Sequence, residues 1–228
     1  KVGAIYTIGP YLFPHLMPKL RLDAPEMPLY IEENYTAVLR KKLKQCELDA
    51  IIVALPFNEP DVVTLPLYDE PFVVLLPKGH ALSKYQSLSS DMLSIDNLLM
   101  LGPGHCFRDQ VLAACPDLLN RIGLPEIESE TKQKLITEGS SLETIRHMVA
   151  SGLGLSVLPM SAAMKGYYDE TLLDVRPFES PAPYRSVALA WRVTFPRPKA
   201  IDLLASATKK CNLLSKLDQL NKVQTNHV

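Results

Sequence analysis

Short apolar runs that alternate with segments of helical periodicity constrain the fold of this chain more than any other feature. Residues 1–8, 29–34 and 50–55 have the patterns of strands, and a helical pattern separates each from the next. The apolar residues of the first helical segment are Leu12, Leu16 and Leu20. Short apolar strands in a β-α-β-α-β order are typical of a parallel sheet with right-handed crossovers, so we predict an α/β fold.

A second set of strand and helix patterns follows between about residues 70 and 175. Residues 62–82 form an extended, proline-interrupted run, which suits a connection between two subdomains. We therefore predict two doubly wound subdomains that face each other across a cleft. The first comprises residues 1–70 with 176–228, and the second comprises residues 71–175.

The most clearly marked helix lies in this second half. Ser140 and Glu143 have the spacing of a capping box, and Gly152 supplies a stop signal at its end. We also predict a strand at 126–131 and a long amphipathic helix at 198–220.

Composition excludes several classes of protein. The 228 residues carry a formal net charge of −1, so they offer no electrostatic footprint for nucleic acid. Apolar runs fall short of the ~18 residues that a membrane span needs. The histidines and cysteines lack the spacing of a metal site, and four cysteines do not form a secreted disulfide framework. We expect a cytoplasmic protein, and because the chain starts at Lys1 we expect a further segment to precede it.

Two of the four cysteines, Cys106 and Cys115, lie nine positions apart in the segment GHCFRDQVLAAC. This spacing fits neither a zinc knuckle nor a C-x-x-C redox pair. If the segment is helical up to Pro116, the two residues lie on nearly opposite sides and ~13.5 Å apart along the axis. A disulfide needs Cα atoms within ~7 Å, so the two cannot bond while the helix exists.

Spacing alone leaves two interpretations open. In the first, Cys115 packs in the core on the same helix face as Phe107 and Val111, and Cys106 is incidental. In the second, the pair is a redox switch. Cys106 begins the helix, where the dipole and nearby Arg108 stabilise the thiolate that attacks peroxide. The resulting sulfenic acid condenses with a second thiol that can reach it.

The neighbouring Asp109 also admits two roles. In one, its negative charge destabilises a thiolate on Cys106. In the other, its carboxyl donates a proton or a hydrogen bond to the hydroxide that leaves the peroxide. Cys46 and Cys211 lie in other predicted helices, and we expect both to be structural.

The stretch LLMLGPGHCFRDQVLAAC closely resembles the redox segment of the hydrogen-peroxide sensors among the LysR-type transcriptional regulators. The similarity extends over nearly the whole chain, through TIGPYLFPHLMPKL, LDAIIVAL, PLYDEPFVVLLPKGHAL and SSLETIRHMVASGLGLSVLP. GLGLSVLP is common to LysR-type domains generally, whereas H-C-x-R-D with a second cysteine nine residues on is specific to the peroxide sensors. The implied fold is the LysR-type effector domain, two Rossmann-like subdomains similar to type 2 periplasmic binding proteins.

The resemblance also implies a site. Cys106 would be the peroxidatic cysteine and Cys115 the resolving one, within a redox segment at 104–116. The residues that the resemblance places around the reactive thiol and the peroxide are His105, Arg108, Asp109, Thr7 and Thr36. No metal or cofactor is implied, and peroxide would be reduced stoichiometrically by a sensor rather than turned over by an enzyme.

Partners follow from the same resemblance. The domain would form a homodimer, and the intact protein a homotetramer. We expect the family's winged helix-turn-helix to lie outside these 228 residues. It would bind promoter DNA, and RNA polymerase would be recruited through the intact protein. A thiol reductant such as glutaredoxin or thioredoxin would reset the switch.

Three other functions remain as alternatives. A LysR-type effector domain that binds a small organic ligand is the first, although the sequence around Thr7 shows no arginine to clamp a carboxylate. A solute-binding protein for transport shares the expected fold. A thiol peroxidase would use the same cysteine chemistry with fast recycling.

Overall fold

The computed structural model describes residues 1–93, 98–115, 136–164, 171–211 and 213. Its first five elements are β1 (Val2–Ile5), α1 (Gly9–Asp23), β2 (Ile31–Asn34), α2 (Thr36–Lys44) and β3 (Ala50–Ala54). Strand β1 lies between β2 and β3 and is parallel to both, which confirms the predicted β-α-β-α-β order. Helix α1 buries Leu12, Leu16 and Leu20, as their spacing predicts.

Nine further strands and α-helices follow in the described residues. In order they are β4 (Val62–Pro77), β5 (Leu98–Leu101), α3 (Cys106–Ala114), β6 (Ile136–Gly139), α4 (Leu142–Ala150), β7 (Leu155–Pro159), β8 (Leu173–Pro177), β9 (Tyr184–Arg192) and α5 (Pro198–Lys209). The chain forms two units, Lys1–Glu70 with the residues from Arg185 onward, and Pro71–Tyr184. It leaves the first unit within β4 and returns to it within β9.

In the first unit, β9 runs antiparallel to β3, and in the second, β4 runs antiparallel to both β7 and β8. Strand β5 is parallel to its neighbours β6 and β7. Both units therefore have mixed sheets, in contrast to the parallel sheet predicted from the opening of the chain.

The second unit extends further along the chain than the predicted boundary between residues 175 and 176. Strand β8, which the sequence analysis missed, pairs with β4 from Val73 to Pro77. Beyond it, the amide of Phe72 donates to the carbonyl of Pro183. These hydrogen bonds keep the chain in the second unit until Tyr184.

The capping prediction for α4 is wrong by one residue. The N-cap is Ser141, whose hydroxyl accepts a hydrogen bond from the Thr144 amide, and not Ser140. Glu143 instead forms an ion pair with Arg146. Gly152 has φ +76° just beyond the helix, as its predicted role as a stop requires.

Other predictions fall partly or wholly outside the described residues. These are the strand at 126–131, Pro116, and the part of the C-terminal helix from residue 214. Cys46 lies two positions beyond α2 and is exposed, so it has no structural role in packing. Cys211 is buried, its thiol donates to the carbonyl of Ala207, and burial raises its pKa to about 11.

Candidate functional site

The two cysteines of the redox segment lie at opposite ends of one helix. Cys106 is the first residue of α3, and Cys115 is the C-cap residue that directly follows its last turn. Cys106 is partly exposed and Cys115 is fully buried, and all four cysteines of the chain are thiols with no disulfide. At a rise of about 1.5 Å per residue, nine positions correspond to ~13.5 Å along the axis of a helix.

Helix α3 is held against the second unit by its apolar face. Phe107 and Val111 are buried together with Cys115, which confirms the predicted face. The ring of Phe107 packs edge-on against Phe72 of β4, with 5.1 Å between ring centroids. Any unwinding of α3 must therefore disturb a packed aromatic contact as well as the helix hydrogen bonds.

His105 precedes Cys106 and is the N-cap residue of α3. It is only 6% exposed, and its imidazole is hydrogen-bonded to the backbone of Ser140. Burial lowers the pKa of His105, and the hydrogen bond that its ring donates to the backbone of Ser140 only partly opposes this effect. The ring is therefore neutral at pH 7 and contributes a hydrogen-bonding group beside Cys106 rather than a positive charge.

Arg108, in the first turn of α3, is directed away from the helix. Its Nη1 donates to the carbonyl of Leu101 at 2.9 Å and to Oε1 of Glu138 at 2.8 Å. Part of its charge is thus compensated by a carboxylate thirty positions away in the sequence. Asp109 is exposed in the same turn.

The two threonines predicted to line a peroxide pocket lie in the first unit, at one edge of its sheet. The pairing of β1 with β2 sets Ile5 opposite Asn34, and each threonine follows two residues later. The rings of Tyr6 and Tyr35, which immediately precede the threonines, form an edge-on pair with centroids 5.2 Å apart. Parallel pairing therefore brings Thr7 and Thr36 to the carboxyl ends of neighbouring strands, where α/β sheets bind ligands.

The hydroxyl of Thr36 is buried and has no hydrogen-bond partner among the described residues. Thr36 is the first residue of α2, so this hydroxyl lies at a helix N-terminus. Buried polar atoms without a partner are rare, and each calls for an explanation such as a water or a ligand.

Thr7 is also buried, but a residue that the sequence analysis did not single out holds it in place. Arg185 donates from Nη1 to Oγ1 of Thr7 at 2.8 Å and from Nη2 to its carbonyl at 2.7 Å. The Nε and Nη2 atoms of Arg185 also contact Oε2 of Glu70, at 2.8 and 2.7 Å, and both side chains are completely buried. Burial raises the pKa of neighbouring Tyr68, and the charge of Glu70 raises it further, whereas the charge of Arg185 lowers it.

The expectation that no arginine stands near Thr7 is therefore wrong, because Arg185 comes from a position 178 residues along the chain. Glu70 nevertheless neutralises this guanidinium within the protein. Arg185 is thus poorly suited to clamp the carboxylate of an organic effector. A guanidinium only donates, so Thr7 accepts through Oγ1 and retains its own hydroxyl hydrogen for donation.

Neither a metal-binding cluster nor a membrane-spanning helix is present in the part of the chain that the structure describes. It contains no group of three or more His, Cys, Asp or Glu side chains that could hold a metal ion. Nor does any described helix have the length and apolar character needed to cross a membrane.

Comparison with known proteins gives a consistent result. Residues 1–210 match the model of the LysR substrate binding domain family. The DNA-binding transcriptional dual regulator OxyR of Escherichia coli is 31% identical over 208 residues, which are 91% of this chain and 64% of that protein. The chain thus spans less than two thirds of the length of this regulator.

Solved structures are similar over a larger share of their length. The reduced OxyR regulatory domain of Pseudomonas aeruginosa is 57% identical with a TM-score of 0.81, over 92% of this chain and 96% of that one. A hydrogen-peroxide-bound cysteine-to-serine mutant of Corynebacterium glutamicum OxyR is 27% identical with a TM-score of 0.81. That match covers 98% of this chain and 67% of the other.

Proposed function

The chain belongs to the LysR substrate binding domain family, and we propose that it is the peroxide-sensing regulatory domain of an OxyR-type transcription regulator. The observation that carries the proposal is the placement of Cys106 and Cys115 on one short helix. The first thiol is partly exposed at the positive end of the helix dipole, and the second is buried at the other end. The hydrogen peroxide bound to the C. glutamicum relative supports the choice of oxidant.

The chemistry has two steps. In the first, the thiolate of Cys106 attacks one oxygen of hydrogen peroxide, the O–O bond breaks, and the leaving hydroxide takes up a proton to become water. The product is a sulfenic acid on Cys106. Cys106 is the first residue of α3 and is partly exposed, so peroxide can reach its sulfur from solvent.

In the second step α3 unwinds and Cys115 attacks the sulfenic sulfur, which releases a second water. One peroxide and two thiols thus give one disulfide and two waters. The separation of ~13.5 Å along the intact helix makes this step a conformational change as well as a reaction. The disulfide then holds the segment in a different conformation from the reduced form.

The other predicted residues receive supporting roles. His105 offers an uncharged hydrogen-bonding ring beside Cys106, and Asp109 a carboxyl for the leaving hydroxide. Thr7 and Thr36 contribute hydroxyls to peroxide binding, and Arg185 orients the first of them. In the intact protein, which would be a tetramer, the change would alter contacts with promoter DNA and RNA polymerase, and a glutaredoxin- or thioredoxin-type reductant would reverse it.

The unpartnered hydroxyl of Thr36 also favours a second candidate, a regulatory domain that binds a small uncharged organic ligand. In that case a ligand would raise the melting temperature of the wild type and of Cys106→Ser by the same amount. If the chain is instead a peroxide sensor, Cys106→Ser should abolish its response to hydrogen peroxide.

A comparison of two cysteine variants tests the proposal. After one equivalent of hydrogen peroxide and alkylation of remaining thiols, intact-mass measurement should show two thiols lost in the wild type. Cys106→Ser should keep its three remaining thiols, and Cys115→Ser should gain one oxygen on Cys106. Equal oxidation of Cys106→Ser and wild type would contradict the proposal.

A further inference from the structure

We propose that Glu138 is a latch residue that holds α3 in the reduced form and thereby sets the rate of disulfide closure. The inference rests on the proposed function, because it concerns the second of the two chemical steps. Glu138 lies outside the redox segment 104–116, in strand β6, and no sequence motif singles it out.

Three consecutive residues at the end of β6 hold the residues that flank Cys106. Glu138 accepts a hydrogen bond from Nη1 of Arg108, and the carbonyl of Gly139 accepts from the amide of Gly102 at 3.1 Å. The backbone of Ser140 is hydrogen-bonded to His105. The start of α3 is therefore docked on β6 from both sides of the reactive cysteine.

Of these contacts, only that of Glu138 is made by a side chain of β6. A substitution at Glu138 can therefore remove one contact without changing the backbone. Gly139 does not allow such a test, because a Cβ atom there would lie 2.6 Å from a side-chain atom of Ile145. Glu138 is thus the position at which the strength of the docking can be varied.

Closure of the disulfide requires these contacts to be released. Cys106 must approach Cys115 to within ~7 Å between Cα atoms, so the first turn of α3 has to leave its place. Arg108 lies two residues after Cys106 and is tied to the sheet through Leu101 and Glu138. Attack by peroxide on Cys106 needs no such movement. The ion pair therefore has to be released for the second step and not for the first.

The exposure of Glu138 sets the size of the effect. Its side chain is 47% exposed and that of Arg108 is 20% exposed, so solvent screens their attraction. Half-exposed ion pairs of this kind change equilibria by about two- to fivefold. The latch is thus strong enough to favour the reduced helix and weak enough to open after oxidation.

Separate measurement of the two steps in Glu138→Gln and Glu138→Ala tests the inference. Rapid mixing with hydrogen peroxide, followed by acid quench and alkylation, gives the rates at which the sulfenic acid forms and the Cys106–Cys115 disulfide closes. We expect both variants still to form sulfenic acid on Cys106, because that step needs no release of α3, and closure is measured from the sulfenic acid onward. Closure should be about two- to fivefold faster in Glu138→Gln and at least as fast in Glu138→Ala. The thiol–disulfide equilibrium against dithiothreitol should shift towards the disulfide by a similar factor.

Asp174→Asn is the matched control. It makes the same carboxylate-to-amide change in an ion pair of the second unit, between Asp174 and Lys78, that lies on β8 rather than on β6. A general loss of stability would affect this variant as much as Glu138→Gln, whereas a latch predicts an effect in Glu138→Gln alone.

The outcomes separate the two proposals. If the wild type closes the disulfide and Glu138→Gln closes it at the same rate, the latch is wrong and the proposed function stands. A similar acceleration in Asp174→Asn also contradicts the latch. If the wild type forms no Cys106–Cys115 disulfide, both proposals fail.

Discussion

Arg185 holds Thr7 at two atoms, through Nη1 to the hydroxyl oxygen at 2.8 Å and through Nη2 to the carbonyl at 2.7 Å. The guanidinium of Arg185 also forms an ion pair with the carboxylate of Glu70, and both side chains are completely buried. A candidate peroxide-binding hydroxyl is therefore fixed by an ion pair at the two points where the chain leaves and re-enters the first unit.

Removal of Arg185 should strongly lower the stability of the folded chain. Arg185→Met leaves the buried carboxylate of Glu70 without its ion-pair partner, so we expect the free energy of unfolding to fall by about 3–5 kcal/mol. Urea unfolding at pH 7 measures this. Lys78→Met, which removes the solvent-exposed pair with Asp174, should cost less than about 1 kcal/mol. Equal losses of stability in the two variants would contradict the conclusion that the buried Arg185–Glu70 pair matters more for folding than the Lys78–Asp174 pair.

The Thr36 hydroxyl should matter for reactivity and not for stability. Because it has no hydrogen-bond partner among the described residues, Thr36→Val should leave the free energy of unfolding unchanged or raise it by up to about 1 kcal/mol. The same variant should slow the oxidation of Cys106 by peroxide several-fold.

Thr208→Val serves as the control for that experiment. The Thr208 hydroxyl is also buried but donates to the carbonyl of Leu204 at 2.8 Å, so its loss should lower stability by about 1 kcal/mol. Cys106 should still react at the wild-type rate. A destabilised Thr36→Val with normal reactivity would refute the proposed role of Thr36.

The lowered pKa of His105 predicts a pH dependence of stability. In the unfolded chain this histidine binds a proton near pH 6.5, whereas in the folded chain burial delays protonation to lower pH. The stability that the neutral ring contributes is therefore fully present above pH 6.5 and is lost as the pH falls through the lowered pKa.

Unfolding measured between pH 5 and 8 checks this expectation. The difference in stability between wild type and His105→Asn should shrink as the pH falls below about 6.5. His147→Asn, an exposed imidazole on α4, controls for the substitution itself. A difference that stays constant across the range would mean that His105 titrates alike in the folded and unfolded chains.

The elements with a regular apolar pattern could be predicted from the sequence. Helix α1 follows from the spacing of its leucines, and α3 has the predicted start and buried face because Phe107, Val111 and Cys115 recur every four residues. Strand β8 was missed because its residues are mostly half-buried and lie beside a proline-rich stretch. At α4, two adjacent serines both suit an N-cap, and local pattern could not choose between them.

The partners of the site residues could not be predicted. Glu138 reaches Arg108 across 30 positions, and Arg185 reaches Glu70 and Thr7 across 115 and 178 positions. Such pairs depend on which strands become neighbours, and a single sequence carries no local signal for them. The cysteines could be predicted because their chemistry depends on one helix, which is a local structure.

Non-reducing peptide mapping of the wild-type chain, before and after one equivalent of hydrogen peroxide, tests the central claim most directly. We predict that the untreated chain yields Cys106 and Cys115 as separate thiol peptides, and that peroxide converts them to a single disulfide-linked pair. An oxidised chain in which Cys106 remains a thiol, or pairs with Cys46 or Cys211 instead of Cys115, would contradict the account.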